Sequence, residues 1–195
     1  MILHSILSTP QTDHTTQRAG RSLWLNLFIL TSALLILPLS ANAALFGGKF
    51  KAEVETEQVA IKLHQDTLAA GYQLIDTKGV KALLDNGSEV TIVDAMPYKD
   101  SYRKEHIPSA KQFEFPIADM DEWDSGQTDN QTIEQFAALL GDDKSKTLVF
   151  YCGFVKCGRS HNAAAWAVKL GYTNVYRYPG GIFAWKGAGF KPSSL

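Results

Sequence analysis

Thr147-Leu148-Val149-Phe150-Tyr151-Cys152-Gly153-Phe154-Val155-Lys156-Cys157-Gly158-Arg159-Ser160-His161 runs from an apolar, β-prone pentapeptide, through both cysteines of the chain, into the Ala-rich segment 162–170. Such a pattern reads as strand, loop, helix. A thiol at a strand-to-helix turn sits where backbone N–H groups and the positive end of the helix dipole converge. That setting favours the thiolate, which is the nucleophilic form. The loop is therefore where chemistry is expected.

Outward from the loop, strand and helix signals alternate. Towards the N-terminus, residues 132–140 read as a helix with Asn130 or Thr132 near its start, and 111–115 as a strand ended by Pro116. The polar segment 97–105 reads as partly helical, and Val90-Thr91-Ile92-Val93 as a buried strand ending at Asp94. Asp76 or Thr77 is placed to cap a helix through Leu84, stopped by Asn86-Gly87, with a short strand at 72–75 before it. Residues 53–70 suit an amphipathic helix with Val54, Ile61 and Leu68 near one face, and 44–50 read as a loose entry segment. Beyond the loop, Gly171 ends the helix, 174–177 is a last strand and 182–187 a last short helix. Alternation of this kind predicts an α/β domain, a central parallel sheet with helices on both faces. Ligands of such sheets bind at the carboxyl ends of the strands, where Asp94 and Cys152 both fall.

The first residues read as an export signal. Arg18 and Arg21 precede an apolar stretch over 23–39, and Ala41-Asn42-Ala43 follows as a small-x-small cleavage pattern. Cleavage is expected after Ala43, giving a signal peptide over 1–43; the competing reading is an uncleaved anchor, which Asn26, Thr31 and Ser32 weaken. Export places the mature chain in an oxidising space, a bacterial periplasm. It retains 152 of the 195 residues, enough for one domain with a sizeable core. The leader takes Arg18, Arg21 and Asp13 with it, so the formal charge moves from −1 to −2. No basic block points to a nucleic-acid partner, and a membrane partner is expected only through an uncleaved leader. His64, His106 and His161 are too scattered for a metal site, and nothing calls for a cofactor.

Three ordered segments resemble the rhodanese-like, or thiosulfate sulfurtransferase, family. They are Val93-Asp94 with Tyr98, Tyr102 and Glu105-His106-Ile107-Pro108-Ser109-Ala110; the Cys152 loop with Arg159-Ser160; and Gly171-Tyr172 through Val175 to Gly180-Gly181-Ile182-Phe183-Ala184-Trp185. The resemblance covers about 74–190 and implies a single rhodanese-like domain over 71–195, with 44–70 a helical extension outside it. It departs from the common loop of Cys, four residues and Arg or Thr, since Arg159 lies seven positions after Cys152. A variant with Cys-x4-Cys-x2-Ser fits better, through Cys152, Cys157 and Ser160. Met96 stands where many members have Arg, and Glu105 and Ser109 stand where Gly is usual.

The resemblance implies that Cys152 attacks a sulfane sulfur, carries it as a persulfide and passes it to a thiol. The expected partners are thus a small sulfur-containing anion and a thiol acceptor. The N–H groups of Gly153, Phe154, Val155, Lys156 and Gly158 would cradle the anionic sulfur, with Gly153 and Gly158 allowing the backbone angles required. Cys157 is expected either to resolve the persulfide, to form a reversible disulfide with Cys152, or simply to shape the loop. An inert Cys152–Cys157 disulfide is the competing reading for an exported pair. Arg159 and Lys156 would attract the anion and lower the thiolate pKa, unless they are solvated surface charges. Ser160 is expected to cap the helix, His106 to organise the loop after Asp94, Asp94 to accept nearby N–H groups, and Gly180, Gly181 and Trp185 to serve turn and core.

Three functions follow. The first is a sulfurtransferase working through a Cys152 persulfide. The second is a thiol–disulfide redox protein using Cys152 and Cys157, against which the absence of Cys-x-x-Cys argues. The third is a non-catalytic rhodanese-like binding or sensing module. A cysteine-phosphatase reading is poorer, because that chemistry needs five residues between Cys and Arg and here six intervene.

Overall fold

The computed structural model describes residues 40–195, with side chains from 48 onward. The signal peptide reading falls almost wholly on residues outside these. Two units divide after Lys51, and the second, Ala52–Leu195, holds the sheet and the cysteine loop. Among the described residues no helix is long and apolar enough to cross a membrane.

Helix α1 spans Ser40–Ala70. The loose entry expected over 44–50 is thus helical, Gly47 and Gly48 included. The stripe Val54, Ile61, Leu68 does not face inward: the three are 52%, 53% and 70% exposed. The half-buried positions are Val59, Leu63, Asp66, Thr67 and Ala70, a helical spacing on a different face. Periodicity picked out the wrong apolar stripe because the inward one is mixed with Asp66 and Thr67.

Strands β1 (Gln73–Leu74), β2 (Val90–Asp94), β3 (Lys111–Gln112), β4 (Thr147–Tyr151) and β5 (Val175–Tyr178) form one sheet in the order β1-β5-β4-β2-β3. Every pair is parallel, with Asp94 level with Tyr151 and Tyr151 level with Tyr178. The expected strand over 111–115 shortens to two residues, although the Phe113 and Phe115 N–H groups still donate to the Asp94 and Ala95 carbonyls, at 3.0 and 3.2 Å.

Side-chain alternation splits the core in two. Val93, Leu148, Phe150 and Val175 point to one face, where α3 (Ile133–Leu140) and α4 (Arg159–Lys169) cover them. Ile92, Val149, Tyr151 and Tyr178 point to the other, under α2 (Thr77–Asp85) and α5 (Gly181–Gly187). On the first face Phe136 packs against Phe113 and Phe115 with ring centroids 4.8 and 5.0 Å apart. Such pairs add about 0.5–1.5 kcal/mol each beyond burial. Local signals fix the helix ends: Asp76 accepts the Gly79 N–H at 2.7 Å, and Thr132 and Gln135 form a reciprocal capping box. Helix α4 starts at Arg159, three residues before the Ala-rich run.

Candidate active site

Cys152 follows β4 at the carboxyl rim of the sheet, and the loop 152–158 turns from it into α4. Asp94 ends the neighbouring β2 on the same rim, as parallel order demands. Two contacts lock the loop's first residues to the start of α5: the Ile182 N–H donates to the Cys152 carbonyl and the Phe183 N–H to the Gly153 carbonyl, both at 3.0 Å. Gly181 therefore belongs to the site as well as to the turn. Its φ is +55°, and a Cβ there would meet the Cys152 carbonyl oxygen at 2.1 Å.

Both cysteines are thiols, Cys152 fully buried and Cys157 6% exposed. The Cys152 S–H lies 3.2 Å from Ser160 Oγ and 3.4 Å from the Cys157 carbonyl. Burial pushes the Cys152 thiol far up, and its hydrogen bond to the Cys157 sulfur adds to this; contact with Ser160 opposes it. Cys157 is lowered to about 6, first by that hydrogen bond from Cys152 and then by the N–H groups of Arg159 and Gly153 and the Arg159 charge, against the opposing effect of burial. Burial thus works against the Cys152 thiolate that the strand-to-helix position favours. Cys152 is sealed beneath the loop, while Cys157 lies slightly nearer its surface.

Other expectations are revised by geometry. Ser160 does not cap α4. It is buried in the first turn, and its Oγ receives both Cys152 and the Arg177 Nε–H, the latter at 3.1 Å. Arg159 is directed to Glu114, at 3.4 Å, and to the Phe115 carbonyl, so it ties α4 to the chain after β3. Lys156 is exposed and lies 3.8 Å from Glu55 of α1. Gly158 has an ordinary φ of −74°; what it requires is room, since a Cβ would fall 2.1 Å from the Ile117 carbonyl oxygen. Gly153 is not among the positive-φ glycines. Phe154 and Val155 are exposed on the loop, Phe154 with its ring 5.5 Å from that of Phe183.

Asp94 accepts the Met96 N–H at 2.9 Å, and burial raises it to about 6, against the lowering effect of Tyr151 and Met96. His106 stacks on Tyr102 at 4.3 Å and bonds the Tyr102 carbonyl through Nδ1 at 2.9 Å. It organises the segment after Asp94, as expected. Among the described residues no three His, Cys, Asp or Glu side chains group to hold a metal.

Sequence reasoning missed Arg177. It sits in β5, only 2% exposed, and reaches Ser160, Tyr72, Cys157, Val155 and Asp66. The signal was a lone charge in the strand Val175-Tyr176-Arg177-Tyr178, on the same face as buried Val175; a buried guanidinium demands partners. Beside it a cavity of about 350 Å³ opens between α1 and the loop, lined among others by Glu55, Lys62, Val155, Lys156 and His161. Cys152 does not line it.

A parallel five-stranded α/β domain with a buried cysteine in the loop after its central strand is thus defined. Residues 76–188 match the family described as the rhodanese-like domain, and the chain belongs to that family. Similar solved structures include a thiosulfate sulfurtransferase from Pseudomonas aeruginosa (19% identity, TM-score 0.47, covering 67% of this chain and 22% of that one). Another is a polysulfide-sulfur transferase homodimer from Wolinella succinogenes (19%, 0.48, 76% and 93%). A third, from Rhodopseudomonas palustris, is a protein of unknown function described as a possible tyrosine phosphatase (25%, 0.48, 69% and 93%). No curated protein matches significantly.

Proposed function

We propose that the chain is a sulfurtransferase that moves sulfane sulfur from a small anionic donor, such as thiosulfate, to a thiol through a Cys152 persulfide. The observation that carries this reading is the Cys152 S–H, buried at the carboxyl end of the central strand and 3.2 Å from Ser160 Oγ. Cys152 attacks as its thiolate, the proton passing to solvent as the donor enters. The new Cys152–sulfur bond forms as the S–S bond of thiosulfate breaks, and sulfite leaves with the bonding pair. An acceptor thiolate then attacks the outer sulfur and releases Cys152 as thiolate. Both cysteines are buried, so the donor enters by displacing the lip of Phe154 and Val155.

Reaction with thiosulfate followed by intact mass and peptide mapping tests this. A gain of about 32 Da on Cys152, lost again on adding a thiol and abolished in Cys152→Ser, is expected. Full activity in Cys152→Ser would overturn it. The contact between the two thiols favours a second reading, a thiol–disulfide redox protein; a loss of about 2 Da with no sulfur gain would select it. Loading without transfer to any acceptor would select a binding or sensing module. Arg18, Arg21, the apolar run and Ala41-Asn42-Ala43 support export to the periplasm with cleavage after Ala43.

A further inference from the structure

We propose that Arg177 is a positioning residue for the catalytic loop, and that Asp66 of α1 holds it in place. This rests on the sulfurtransferase reading. The carbonyls of the cysteine loop are buried polar groups that need donors, and the Cys157 carbonyl, 3.4 Å from the Cys152 sulfur, is one of them. Something must then satisfy those buried carbonyls. Arg177 Nη2 donates to the Cys157 carbonyl at 3.1 Å and to the Val155 carbonyl at 3.4 Å. Its Nε donates to Ser160 Oγ, the same atom that contacts Cys152. One planar fork thereby fixes the middle and the exit of the loop: the peptide after Val155, the peptide after Cys157 and the first turn of α4. A lysine offers a point charge and cannot span these three acceptors at once.

The far side of the guanidinium is also occupied. Nη1 donates to Tyr72 OH at 3.3 Å and lies 3.5 Å from Asp66 Oδ2. Tyr72 OH bonds His161 Nδ1 at 2.9 Å, and Asp66 is shared with Lys62 at 2.9 Å. The groups facing Arg177 are thus Asp66 and Lys62 from α1, Tyr72, and His161 and Ser160 from α4. Asp66 lies outside the residues matched by the family, 76–188. Helix α1 accordingly reaches Arg177 through the Asp66 carboxylate, apart from the exposed Glu55–Lys156 pair.

The test compares the full chain with Arg177→Lys, Arg177→Met and Asp66→Asn. Two readouts apply: kcat and KM for thiosulfate, and the pH midpoint for alkylation of Cys157 by iodoacetamide. Near-UV circular dichroism identifies the folded variants. The expected result for Arg177→Lys is a loss of about 10-fold or more in kcat with KM changed less than about 3-fold, and a midpoint raised by about one pH unit. Asp66→Asn should move both in the same direction by less. A folded Arg177→Lys with wild-type kcat and midpoint overturns the proposal, as does lowered thermal stability with both readouts unmoved. If Arg177→Met does not fold, the other two variants decide. If the wild-type chain transfers no sulfur at all, the functional reading fails, while the alkylation midpoint still judges Arg177.

Discussion

Gly181 and Cys152 touch backbone to backbone: the space a Cβ at 181 would fill is 2.1 Å from the carbonyl oxygen of Cys152. The turn that starts α5 is therefore built against the cysteine loop, and the two cannot move independently. Gly181→Ala combines a left-handed φ with this clash, and should cost about 2–4 kcal/mol. Urea denaturation measures the loss. Sulfur loading of the surviving folded fraction should fall too, because the alanine displaces the peptide that carries Cys152.

The thiol pair sets a pH dependence. Alkylation of Cys157 should rise with a midpoint near the lowered value of about 6. Its leading cause is the hydrogen bond from Cys152, so Cys152→Ala should return the midpoint towards the ordinary thiol range. Stopped-time iodoacetamide labelling with peptide mapping distinguishes the two cysteines. An unshifted midpoint in Cys152→Ala would contradict that cause.

Asp94 titrates in the opposite sense from a salt-bridged carboxylate. Burial raises it from 3.8 to about 6, so the native state holds its proton more tightly than the unfolded chain. The stabilisation is complete below about pH 3.8 and is lost as pH rises through about 6. Relative to Asp94→Asn, which does not titrate, the wild type should gain about 1 kcal/mol when pH falls from about 7 to 5. Denaturant curves for both proteins at the two pH values measure the difference.

Helix α3 is eight residues long and depends on its entry. Thr132→Ala removes the acceptor for the Gln135 N–H and should cost about 1 kcal/mol. Thermal unfolding checks it. Activity per folded molecule should be unchanged, since α3 covers the face of the sheet away from the loop–α5 contact.

The fold was legible because its signals are local. Buried-strand runs at 90–94 and 147–151, the Asp76 cap, and the Gly87 and Gly171 stops all act within a few residues. Parallel order follows from alternation alone. The site was legible only in part. Cys152 was placed by its position after a strand, but the burial that opposes its ionisation is a tertiary quantity. Ser160 and Arg159 looked like a cap and an anion receptor; their partners, Arg177 and Glu114, come from chain 17 and 45 residues away. Arg177 left a trace, a charge among strand apolars, whose meaning required knowing that Asp66 would stand opposite.

The two outer strands, β1 and β3, are only two residues long. A sheet grows by offering a row of free N–H and C=O groups to a newcomer, and these borders offer almost none. Lys111 adds an exposed charge to one of them. The apolar central strands, which on their own would be prone to fibrous stacking, are fenced by margins too narrow to seed it. Concentrated solutions of the folded domain should resist edge-to-edge aggregation for that reason.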